Sequence, residues 1–209
     1  MKKILLFTAL NLFFFSTSNA QVTIKPGVKA GLNLSRLTNY FDSDFKSDFY
    51  IGGLAEIKFS SFYALQPELV YSRQGAKANY TPSGAVPFPS SSVEETISLD
   101  YLSLGVINKF TFAERFQAVV GPTIDIQVAD NFERELSNEL IGLDLGLAIG
   151  VGYSLPNGLT FEARFKQGLI DIFGDNYNNY YDENNNGNYD EIITNQVIQL
   201  GVSYTFGSK

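Results

Sequence analysis

Residues 143–169 run LDLGLAIGVGYSLPNGLTFEARFKQGL. In the first half Leu143, Leu145, Leu147, Ile149, Val151, Tyr153 and Leu155 alternate with Asp144, Gly146, Ala148, Gly150, Gly152 and Ser154. In the second half Leu159, Phe161, Ala163, Phe165 and Leu169 alternate with Thr160, Glu162, Arg164 and Lys166. A repeat of two puts one set on each side of an extended chain, whereas a helix needs apolar residues three and four apart. Pro156-Asn157-Gly158 joins the halves, and these residue types have the backbone preferences of tight turns. The stretch predicts a long β-hairpin with one apolar face and one small or charged face.

The same period recurs over Pro26–Leu34, Phe49–Phe59, Phe62–Gln74, Thr96–Phe110, Phe116–Val128 and Gln196–Phe206, which with the hairpin makes eight strands. In Thr96–Phe110, Leu102, Leu104 and Val106 sit opposite Leu99, Tyr101 and Ile107, so alternation selects neither face there. The connections alternate. Short ones lie at Ser60-Ser61, Phe112 to Arg115 and Pro156 to Gly158; long polar ones lie at Ser35 to Asp48, Gly75 to Glu95, Ala129 to Leu140 and Asp171 to Asn195. Short turns at one end and long loops at the other are the plan of an all-β, eight-stranded antiparallel up-and-down transmembrane β-barrel. Runs of about 9 to 14 residues suffice, since a tilted strand crosses a bilayer in ~9–11.

Composition narrows function. The 209 residues include 18 Phe, 12 Tyr and 18 Gly but no Cys, His or Trp. Without imidazole or thiol there is no Ser-His-Asp or Cys-His triad, no imidazole or thiolate metal site and no disulfide. No paired carboxylates stand out at a catalytic spacing, so neither enzyme activity nor a cofactor is expected. Lys2 and Lys3, the apolar run Ile4 to Phe15 and the small residues of Ser18-Asn19-Ala20 have the form of a secretory signal. Residues 1–20 are therefore expected to be a cleaved signal peptide and 21–209 an outer-membrane β-barrel domain. Loss of two lysines takes the net charge from −7 to −9. So acidic a chain is not expected to bind nucleic acid.

The polar face indicates where the apolar face looks. It carries Gly31, Gly52, Gly146, Gly150, Gly152 and Gly201, with Asp100 and the charges Glu56, Lys58, Glu68, Asp125, Asp144, Glu162, Arg164 and Lys166 expected in the lumen. An eight-stranded barrel has an interior just wide enough for its own side chains, and glycines with mutually neutralising charges would fill it. A soluble periplasmic carrier is the alternative; its polar face would be densely charged. Aromatics bracket the turns, in the manner of an interfacial girdle: Phe59 with Phe62 and Tyr63, Phe110 and Phe112 with Phe116, Tyr153 with Phe161, and Tyr204 with Phe206. Gln199, Gly201, Tyr204 and Phe206 form a polar-x-Gly-x-x-aromatic-x-aromatic ending that resembles the signal read by the outer-membrane assembly machinery.

Leu65 to Lys77 (LQPELVYSRQGAK), Leu143 to Tyr153 and Phe161 to Leu169 (FEARFKQGL) resemble the porin-like outer-membrane β-barrel family of Bacteroidota that includes PorT. The resemblance implies an eight-stranded barrel in the cell outer membrane and, for the PorT branch, a part in a secretion or gliding apparatus. Pro67 fits such a strand if its missing donor falls at a bulge or weakly paired position. The expected partners are outer-membrane lipid, the assembly machinery through the last strand, and an envelope protein. The expected role is structural or surface interaction through long extracellular loops, with a plugged lumen. Asp182 to Asp190 matches the front of a calcium loop, but its twelfth position is Ile193, where a bidentate Glu should close the shell. No metal residue is assigned.

Overall fold

The computed structural model describes residues 22–39, 42–80, 93–131, 140–172 and 192–207. The proposed signal peptide and the stretch Asp182 to Asp190 lie outside them. Among the described residues nine strands form one antiparallel sheet: β1 (Thr23–Leu37), β2 (Asp42–Asp44), β3 (Lys46–Lys58), β4 (Tyr63–Tyr80), β5 (Val93–Phe112), β6 (Phe116–Asp130), β7 (Leu143–Ser154), β8 (Leu159–Gly168) and β9 (Asn195–Thr205). β2 is a short piece in line with β3 that pairs with β4 at Asp42↔Asn79. The other eight close a ring, each paired with its sequence neighbour and β9 paired back onto β1 from Gly27↔Thr205 to Leu37↔Asn195.

Along the middle of every strand the expected alternation holds. Outward side chains are apolar and open, with Val151 62% and Ile149 56% exposed, while the inward Arg164 is 3% exposed. In β5 the open register resolves with Leu102, Leu104 and Val106 outside and Leu99, Tyr101 and Ile107 inside. At the loop end the pattern inverts. Ala76, Ala78, Ile97 and Leu99 are buried inside, while Lys77, Thr96 and Ser98 lie on the outer side.

With that inversion, four strand limits differ from those expected. β4 runs to Tyr80 and β5 starts at Val93, so both ends of the connection expected over Gly75 to Glu95, residues 75–80 and 93–95, are strand. β1 extends to Leu37, and β2 and β3 take up much of the stretch expected as the first loop. The pairing continues there with apolar groups facing in, the arrangement of a barrel whose outside meets water.

Two prolines sit where the ladder is interrupted. On the β3 side of Pro67 the pairing jumps from Leu54↔Glu68 to Ile57↔Leu65. Beside Pro122 the β5–β6 pairing jumps from Gly105↔Thr123 to Asn108↔Val120, and Asn108 Nδ2 donates to the Val120 carbonyl at 3.1 Å. Proline cannot donate to a ladder, so these breaks leave no orphaned partner on its account. Of the turns, that after β7 uses Gly158 at φ 90°, and the Leu155 amide closes it on the Leu159 carbonyl at 2.7 Å.

Candidate functional site: the barrel interior

The interior is layered. At mid-height Arg164 of β8 places Nη1 2.8 Å from Glu68 Oε1 of β4 and Nη2 2.9 Å from Glu162 Oε2. Lys29 of β1 lies 3.0 Å from Glu68 and 3.6 Å from Glu162. β4 and β8 are four places apart in a ring of eight, so the Arg164–Glu68 bridge spans the barrel. All four side chains are nearly solvent-free, at 1–8% exposure. Charges so desolvated are tolerable only when paired with good geometry.

Glycines make room for this layer. A Cβ on Gly105 would meet Glu68 Cγ at 2.9 Å, and one on Gly150 would meet Arg164 Cγ at 2.8 Å. Gly31 and Gly201 face each other across the β1–β9 seam, and the ring of Tyr50 lies over both. Lys29 Nζ stands 5.5 Å from the centre of that ring.

Further ion pairs flank the layer. Lys109 Nζ is 2.8 Å from Glu56, and Lys166 is bonded to Asp125, which also accepts from the Ser103 hydroxyl at 2.5 Å. Asp144 accepts from the Leu169 and Ile170 amides at 3.3 and 3.2 Å. Lys58 instead stands exposed at the turn end, on the rim of a cavity of about 290 Å³ that also touches Lys25, Glu56, Arg115 and Gln117. Toward the loops comes a layer of amides. Asn33 Nδ2 donates to Ser72 Oγ at 2.9 Å, and Gln199 Nε2 donates to Asn33 Oδ1 at 3.0 Å. Here β3 and β4 part beyond Tyr50↔Ser72, and side chains serve the freed carbonyls. Asn33 Nδ2 reaches Arg73 O at 2.7 Å and Lys46 Nζ reaches Gln74 O at 3.0 Å. Leu37, Ile97, Leu99, Tyr101, Ile172 and Ile193 then form an apolar stopper at the loop end.

Lys29, Lys46, Lys109 and Tyr50 are also buried in the interior, beyond the eight charges expected there. Lys29 shares the inward parity of Gly31 and Asn33, a signal open to the sequence; Lys109 lies in the strand whose face alternation left undecided. Asp100 requires correction: it points out, not in, with Tyr71 Oη 2.7 Å and Arg73 Nε 3.1 Å from its carboxylate. With Arg36 donating to Gln196 at 2.9 Å, this group marks the loop-side limit of the apolar wall.

Aromatics mark the other limit. Phe62–Phe112, Phe116–Tyr153 and Tyr204–Phe206 pack edge to face at 5.3, 5.0 and 5.3 Å. From Phe110 to Asp100, or from Phe206 to Gln196, is ten residues. At ~3.3 Å per residue and ~40° tilt that projects to roughly 25 Å, the height of the apolar band of outer-membrane barrels. Of the ending residues, Gln199 and Gly201 face in and Tyr204 and Phe206 face out. In the turn between β5 and β6, Arg115 donates to the Tyr153 hydroxyl at 3.3 Å, and that bond holds its pKa above the ordinary value. Among the described residues no group of three or more acidic side chains could hold a metal.

Residues 19–174 match a family described as outer membrane protein beta-barrel domain. No curated protein matches the sequence. Among solved structures, Neisserial surface protein A shares 14% identity over 87% of this chain and 97% of its own, with a TM-score of 0.52. Ail, the attachment invasion locus protein of Yersinia pestis, shares 10% over 88% and 99%, at 0.46. OprG of Pseudomonas aeruginosa shares 10% over 88% and 97%, at 0.44. The first of these supports the eight-stranded barrel as the fold.

Proposed function

From the premise that this chain belongs to the outer membrane protein beta-barrel domain family and resides in the outer membrane, we propose that it is a plugged, non-conducting barrel acting through its surface. The soluble-carrier alternative falls with the location. The observation that carries the proposal is the bridge from Arg164 to Glu68, reinforced by Glu162 and Lys29, which occupies the lumen where a pore would run. Eight strands leave no aqueous channel once side chains fill the interior. In this reading the turns and both termini are periplasmic, the aromatic rows and the polar group around Asp100 sit at the two lipid interfaces, and the loops work outside. Gln199, Gly201, Tyr204 and Phe206 serve the assembly machinery. Planar-bilayer recording of the purified barrel tests the plug. No conductance steps are expected, and large stable steps would overturn the proposal.

A narrower reading, a PorT-like part in a secretion apparatus, rests on the family resemblance. The three stretches that carry that resemblance supply Glu68, Asp144, Glu162, Arg164 and Lys166 to the interior. Deleting the gene and measuring secreted cargo tests it; unchanged secretion removes it.

A further inference from the structure

On the outer wall at the turn end, cross-strand register stacks three rows over β6, β7 and β8. Phe116↔Tyr153↔Phe161 is aromatic, Ala118↔Val151↔Ala163 has an alanine on either side of Val151, and Val120↔Ile149↔Phe165 follows. The two alanines leave the wall low on either side of Val151, beside the taller aromatic row. The result is an apolar groove of about 500 Å³ with Phe112 at its side. A flat apolar wall would suffice for contact with fluid lipid, so a framed groove selects one chain from it. At its turn-side edge the guanidinium of Arg115 rests on the Tyr153 hydroxyl, a cation on a protein whose net charge is −7.

We propose that this groove seats one phospholipid, with an acyl chain over Ala118, Val151 and Ala163 and its phosphate on Arg115. The inference rests on the lipid-facing, periplasmic-turn reading above. The charge sets the preference. A headgroup that is anionic overall gains from Arg115, whereas a choline headgroup carries a cation that Arg115 repels. Tyr153 contributes an apolar ring to the groove and a polar tip at its edge, the division of labour that suits aromatics to membrane interfaces.

Native mass spectrometry of the full barrel in a mild non-ionic detergent, with phosphatidylglycerol or phosphatidylcholine added, tests it. One phosphatidylglycerol is expected to survive activation. Filling the groove with Ala118→Leu and Ala163→Leu is expected to cut the lipid-bound fraction about tenfold, and Arg115→Gln to erase the preference for phosphatidylglycerol. Val28→Leu, on the far wall, should change neither. Heat-modifiable migration verifies that each variant is folded, and Arg115→Gln alters only an exposed turn residue. Equal retention by the filled variant, equal retention of the two lipids by the wild type, or no retained lipid overturns the proposal. Failure of the lipid-facing reading itself looks different: the chain would stay folded and dispersed without surfactant.

Discussion

Arg164 and Glu68 touch across the whole width of the barrel, Nη1 to Oε1 at 2.8 Å, although three strands lie between theirs on either side of the ring. This contact ties opposite walls together directly. It also makes each partner dependent on the other, because neither charge has water to fall back on.

Arg164→Met is therefore expected to cost about 3–5 kcal/mol, since it strands Glu68 and Glu162 in a dry interior. Adding Glu68→Gln and Glu162→Gln should recover part of that loss. Urea unfolding in lipid vesicles, followed by gel migration, measures both; a silent single variant would show that the bridge is not a determinant of stability.

Gly201→Ala should destabilise by roughly 1–3 kcal/mol through overpacking. The new methyl would lie 2.1 Å from Tyr50 Oη and 2.5 Å from the Ala30 carbonyl. Because the second obstacle is backbone, Tyr50→Ala added to Gly201→Ala is expected to restore only part of the stability. The same unfolding assay reads the two variants.

Depth along the outer wall gives a third test. Leu200→Arg, midway between Phe206 and Gln196, is expected to cost about 2–4 kcal/mol, whereas Gln196→Arg at the polar limit should cost about 0–1. Equal costs would refute the assignment of the band to lipid.

Tyr204→Ala with Phe206→Ala separates assembly from stability. Unassisted refolding into vesicles should be nearly unchanged, while cells should hold severalfold less of the protein in the outer membrane and more in the periplasm. Normal cellular insertion would remove the role proposed for this ending.

Much of the architecture was legible because lipid and a packed lumen impose opposite demands on successive residues. Leu143 to Leu169 shows this without ambiguity, and its inward Glu162, Arg164 and Lys166 followed from parity alone. β5 did not yield, because its polarity inverts within one strand: Leu99 is inside above the lipid limit and Leu102 is outside below it. Asp100 sits at that crossover, which is why its polarity misled. Lys46 was hidden differently, since its task of serving the Gln74 carbonyl exists only where β3 and β4 separate. Which charges would meet across the ring was likewise beyond one-dimensional pattern, because Glu68 and Arg164 are 96 positions apart.

The seam between β1 and β9 has a consequence for biogenesis. The earliest and latest staves to leave the ribosome are mutual partners, so no nascent fragment can satisfy its own margins in hydrocarbon. A chain cut short would be a sheet with two raw borders rather than a narrower tube. Closure of the ring must then wait for β9, the strand that covers the open margin of β1.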